Sequence, residues 1–122
     1  MAYTKITPRA RSGITGISTE VDLDADGEDG EVSCWISPPE RVAAITIAVH
    51  ALSGYSGDIE YTVEACCNTT SVIGDDGTGG YWDPIEKDKD SYTDDNVFML
   101  TNCVTGIRVT AKTGKINVCF VG

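Results

Sequence analysis

At 122 residues the chain is sized for one domain, and a chain of this length buries roughly two thirds of its unfolded surface, enough for a core without disulfide staples. Its net charge of −10 argues against nucleic-acid binding, which needs a basic stripe, and 41% apolar residues with 13 Gly argue against disorder and lean toward β structure. No stretch approaches the ~20 apolar residues of a membrane span, and the opening Met-Ala-Tyr-Thr-Lys-Ile-Thr-Pro lacks the apolar segment of a signal peptide, so neither a membrane nor classical secretion is expected.

Residues 1–19 alternate Ile and Thr with small residues around Pro8 and Gly13, which predicts an extended N-terminal arm running into a first short strand. Lys5, Arg9 and Arg11 make this arm basic, either as a solvated terminus or as a reach toward a neighbouring acidic subunit. From Glu20 to Glu31 there are seven acids and no base, and Glu20–Gly30 is expected to be an Asp/Gly loop too polar for a core element. Val32–Ser37 predicts a short strand stopped by Pro38-Pro39. Arg41–Leu52 predicts the strongest strand, central and covered on both faces, because Ala43, Ile45, Ile47 and Val49 line one side and Val42, Ala44, Ala48 and Leu52 the other.

After a loop at Ser53–Gly57, residues 59–67 alternate Ile59, Tyr61, Val63, Ala65 and Cys67 with Glu60, Thr62, Glu64 and Cys66, as a half-exposed strand does. Residues 68–95 predict a long loop with packing surface only at Tyr81-Trp82 and Ile85. Asn96–Leu100 resumes the sheet. The end of the chain predicts a β-hairpin with its turn at Thr113-Gly114, pairing Ala111 with Ile116, Val109 with Val118 and Ile107 with Phe120. Seven or eight short strands without a convincing helix give an all-β fold: a single-domain antiparallel β-sandwich over residues 1–122, immunoglobulin-like or jelly-roll in connectivity, with the N-terminal arm extended.

Chemistry-bearing patterns are few. Asp22, Asp24 and Asp26, followed by Gly27, match the first half of a calcium loop, in which alternate carboxylates converge on one ion; the twelfth position is Ser33 instead of Glu, so a solvated acidic loop competes with a calcium site. His50 is the lone histidine and has no evident nucleophile to serve, which predicts a strand histidine and no enzyme. The tract Gly74–Gly80 lacks the Lys and following helix of a phosphate loop and reads as flexible. Tyr55, Tyr81, Trp82 and Tyr92 sit in or beside loops, where aromatic rings stack on sugars or anchor protein interfaces; alternatively Trp82 plugs one end of the sandwich. The five cysteines form an odd set without zinc spacing and read as reduced core or near-core residues made in a cytosol.

From about Val42 onward the chain resembles small β-sandwich structural proteins of tailed-bacteriophage virions. The resemblance rests on the Ile-Thr-Ile-Ala-Val strand at 45–49, a second strand ending Tyr-Thr-Val-Glu-Ala at 61–65, a Gly-rich loop leading to Tyr81-Trp82-Asp83-Pro84-Ile85, and the closing run from Leu100 to Val118. It implies a virion structural protein, first of all a capsid decoration or cement protein and otherwise part of a fibre or head-tail joint, commonly a homo-oligomer such as a trimer or copies bridging capsid subunits, located in the virion after assembly in the host cytoplasm. Its partners would be the major capsid protein or other virion proteins, and it carries over no catalytic or ligand residue; the basic arm and the loop aromatics are the contact candidates that the residues themselves offer. The alternative from the residues is a carbohydrate- or receptor-binding module of a tail or fibre, with calcium as its one candidate cofactor.

Overall fold

A computed structural model describes residues 18–38, 44–101 and 104–122, and residues 2–5 in backbone only. These form two facing sheets with one core between them, the all-β sandwich expected from the alternating pattern. Sheet A holds, in order, β1 (Ala2–Lys5), β3 (Val32–Ile36), β8 (Gly106–Thr113), β5 (Glu60–Cys66) and β6 (Trp82–Pro84). Sheet B holds β2 (Ser18–Asp24), β9 (Lys115–Val121), β4 (Ile45–Ala51) and β7 (Asn96–Leu100). All neighbours are antiparallel except β1, which lies parallel to β3 at the edge of sheet A.

The core follows from period-two alternation. Cys34 and Ile36, Tyr61 and Val63, and Ile107, Val109 and Ala111 point inward from sheet A. Leu23, Ile45, Ile47, Val49, Phe98, Ile116, Val118 and Phe120 meet them from sheet B. β-branched residues dominate this list because they pack well on a pleated surface and lose little rotamer freedom there.

Three expectations are corrected. The closing hairpin does not exist: β8 pairs with β3 and β5, β9 with β2 and β4, and Gly114 alone carries the chain from one sheet to the other. The inward set was right, but its members meet across the core and not across a ladder. Glu20–Asp24, expected in a loop, lies in β2, whose acids face solvent while Val21 and Leu23 face in. β4 is central in its sheet yet covered on one side only, with Thr46 and Ala48 half-buried and His50 exposed. Within the arm, the backbone of Ala2–Lys5 forms β1 and Ser18–Thr19 opens β2; the stretch between, with Arg9 and Arg11, lies outside the described residues.

Candidate functional site

The outer face of sheet A carries a second apolar cluster. Because Cys34 and Ile36 point into the core, Trp35 between them must point outward, and a tryptophan so placed needs a cover. The cover is the segment from Asn68 to Trp82. It contains the short helix α1 (Thr70–Ile73), which drops Ile73 against Trp35 and Cys66 and leaves Trp82 packed on the group. Trp35 ends only 1% exposed.

Polar contacts fasten this cover. The Trp35 Nε1–H donates to the Asp75 carbonyl at 3.2 Å, and the Trp82 Nε1–H to the Gly79 carbonyl at 2.9 Å. Arg108, projecting from β8, donates through Nη1 to the Gly77 carbonyl at 2.9 Å, through Nη2 and Nε to Glu64 Oε1 at 3.0 and 3.2 Å, and holds its guanidinium 4.4 Å from the Trp82 ring centroid. Gly77 adopts a φ of +74° with its Cα against the Trp35 ring, so no side chain fits there. The Thr78 hydroxyl and N–H donate to Asp76, which holds that carboxyl below its ordinary range. The glycine tract expected to be a flexible loop is thus a fitted cover. The signal for it was the parity of Trp35 within its strand.

Beside the cover lies an open cleft of about 320 Å³ whose floor is the outward row of β8, Arg108, Thr110 and Lys112, with Thr62 and Glu64 from β5 and Asp90 at its rim. Ser33 and Thr110 share a hydrogen bond of 2.6 Å at its base. Charges of both signs and a row of hydroxyls suit hydrogen bonding to a polar ligand. The chain's histidine is elsewhere: His50 is exposed on the outer face of sheet B opposite Asn117, and no hydrogen bond joins it to a nucleophile among the described residues.

The four aromatics proposed as contacts separate. Tyr81 is 82% exposed and borders a second open cleft of about 370 Å³ with Cys67, Asp83 and Leu100. Trp82 is half-buried on the cover, not at an end of the sandwich. Tyr55 is half-buried, and its hydroxyl donates to Asp26 Oδ2 at 2.7 Å. Tyr92 is no surface contact: it lies 3% exposed in the core, stacked on Tyr61 with centroids 5.6 Å apart and edge-on to Phe98 at 4.7 Å. Its N–H and carbonyl pair with those of Tyr61, which draws an apparently loose segment onto the open edge of β5. Of the basic contacts, the Lys5 side chain, Arg9 and Arg11 lie outside the described residues.

The three aspartates of the calcium pattern each have a protein partner. Asp22 Oδ1 accepts from Asn117 Nδ2 at 2.8 Å, Asp24 Oδ1 accepts the Asp26 N–H at 2.9 Å, and Asp26 divides its oxygens between Tyr55 and the Gly114 N–H. Among the described residues no three His, Cys, Asp or Glu side chains form a group that could hold a metal ion. Cys34, Cys66, Cys67 and Cys119 are free thiols; Cys34 is fully buried, and that burial pushes its pKa up to about 12. No described helix is long and apolar enough to cross a membrane.

Comparisons of the chain with protein-family models, with curated proteins and with solved structures find no match.

Proposed function

We propose that the chain is a structural protein of a bacteriophage virion, a decoration or cement protein that binds the head through the major capsid protein, is not an enzyme and works as an oligomer. The observation that carries this is the strand order. From β2 onward, the eight strands run β2-β9-β4-β7 in one sheet and β3-β8-β5-β6 in the other. The first of the eight therefore pairs with the last and the second with the seventh, which is the jelly-roll order, an architecture shared by viral capsid proteins and lectins. The reading gains weight from the net charge of −10, which favours solubility before assembly, and from the sequence resemblance.

The test is to sediment a lysate from the natural source and follow this chain by mass spectrometry. Co-sedimentation with intact particles, at a copy number comparable to the major capsid protein, is the expected result. A few copies per particle would point to the tail, and absence from particles would overturn the reading.

One observation favours the runner-up, a glycan-binding module of a tail or fibre: the Tyr81 ring is 82% exposed. It stands beside Asp83 on an open cleft, and such a ring is suited to stacking on a sugar face. Loss of glycan-array binding on Tyr81→Ala would mark that case.

A further inference from the structure

Four described strands lie at sheet edges, and an open edge offers unpaired backbone groups to another chain unless something blunts it. β1 carries Lys5. β2 carries Glu20, Asp22 and Asp24. β6 is three residues long and contains Asp83 and Pro84. β7, Asn-Val-Phe-Met-Leu, has neither charge nor proline, and its outward residues Val97 and Met99 are 57% and 71% exposed.

The hydrogen bonds show which groups the edge offers. The Val97 N–H donates to the side-chain Oδ1 of its neighbour Asn96 at 2.9 Å, so it points away from β4. On β4, the Ala51 N–H points toward the β7 side, where it meets Asp95 Oδ1 at 2.8 Å, while the Leu52 N–H goes to the β9 side and Lys115. This parity sets the N–H and carbonyl groups of Val97 and Met99 along the outer edge of β7, where no strand pairs with them among the described residues and where the Asn96 carboxamide must release the Val97 N–H to a backbone partner.

We infer that β7 is a homodimerisation edge, on which a second copy of this chain pairs antiparallel about a two-fold axis at Phe98. In that register Val97 of one copy faces Met99 of the other, and each such pair exchanges two backbone hydrogen bonds, four across the axis. The outward side chains then form two identical apolar Val–Met pairs. Asp95, the acid adjoining the strand, falls opposite Thr101, so no like charges meet. The acidic strip of β2 lies three strands away, roughly 14 Å at ~4.8 Å per strand and beyond the ~8 Å Debye length, so it does not oppose the contact. β2, β9, β4 and β7 of both copies would make one continuous sheet. The inference is independent of the virion proposal: the particle experiment can fail with the dimer intact, and the reverse.

The interface is at the small end of specific contacts, so association is expected with Kd of about 1–100 μM. Sedimentation equilibrium of the full chain over that range should show a reversible species of twice the 13.0 kDa chain mass. Met99→Lys, which places a charge opposite Val97 without touching the core, should weaken association at least tenfold while far-UV circular dichroism stays unchanged. The register has its own test. Mixing Val97→Cys with Met99→Cys protein under mild oxidation should give a disulfide between the two introduced thiols, located by peptide mapping, and neither variant alone should give a homotypic one. A wild-type monomer up to about 1 mM, a trimer that survives Met99→Lys, or crosslinks between identical positions would each overturn the inference.

Discussion

The carboxylate of Asp26 accepts the backbone N–H of Gly114 at 3.1 Å, joining residues 88 positions apart in the sequence. The Ala25 N–H returns a bond of 2.9 Å to the Gly114 carbonyl, and the Tyr55 hydroxyl closes the arrangement on the other Asp26 oxygen. The corner at which the chain leaves sheet A for sheet B is thus held by the end of β2. Gly114, at φ +85° and with its Cα against the Asp58 carbonyl, has no room for a Cβ. Asp26→Ala should therefore cost about 1–2 kcal/mol, discounted for exposure, with a fall in Tm of about 3–6 °C. Tyr55→Phe should cost less than half as much. Millimolar calcium should leave the wild-type Tm unchanged by scanning calorimetry; a rise of several degrees would show that Asp22, Asp24 and Asp26 abandon these partners for an ion.

Arg108 joins three parts of the outer face of sheet A: Glu64 on β5, the Gly77 carbonyl and the Trp82 ring. The Arg108 and Glu64 side chains are only 15% and 24% exposed, so removing one leaves the other partly desolvated and unpaired. Arg108→Ala should destabilise by about 2–3 kcal/mol in urea titrations. Arg108→Lys should recover less than half of this, because a single ammonium nitrogen lacks the planar fork that reaches Glu64 and the Gly77 carbonyl from separate nitrogens and cannot lie flat on the indole. Hydrogen exchange should rise first between residues 74 and 82, and a uniform rise across both sheets would refute the local role.

Much of this arrangement was legible in the sequence, and the failures share a cause. Alternation says which side of a sheet a residue faces, so Ile107, Val109, Ala111, Ile116, Val118 and Phe120 were correctly read as one apolar set. It does not say which strand a residue pairs with. Thr113-Gly114 reads equally well as a hairpin turn or a sheet-to-sheet corner, and the deciding partner, Asp26, is remote in sequence. The cover over Trp35 was missed because Gly and Asp dominate residues 74–80, and backbone carbonyls, which supply its fastenings, have no sequence signature. Tyr92 was misplaced for a related reason: it stands among charged residues, and its burial depends on the ring of Tyr61 and the edge of β5.

Tyr92 also carries a cost that can be removed. Its hydroxyl is buried without a hydrogen-bond partner of good geometry among the described residues, while the ring supplies the stacking on Tyr61 and Phe98. Tyr92→Phe keeps the ring and deletes the unsatisfied group, so it should raise stability by about 1 kcal/mol. Tyr92→Ala should lower it by about 3–5 kcal/mol. A loss of stability in the phenylalanine variant would mean that the hydroxyl has a partner, and Glu86, whose charge helps hold this phenol protonated, is the group to examine.

The same tyrosines set the alkaline limit of the fold. Burial pushes Tyr92 from 10.0 up to about 12, burial also raises Tyr61, and the hydrogen bond to Asp26 raises Tyr55. Buried Cys34 rises from 9.0 to about 12. Each group is an acid held neutral in the folded state, so between its unfolded and folded pKa the native protein binds a proton that the unfolded chain has released. The unfolded state then binds fewer protons, and stability falls as pH rises. The contribution is complete below pH 9.0, begins to decline there through Cys34, declines faster above 10.0 as the tyrosines join, and is spent only beyond about 12. Urea midpoints should accordingly hold steady up to pH 9 and then drop. Tyrosinate absorbance should rise in two phases, the second coinciding with loss of far-UV circular dichroism. A single titration near pH 10 with the fold intact would show that neither Tyr61 nor Tyr92 is sealed in the core.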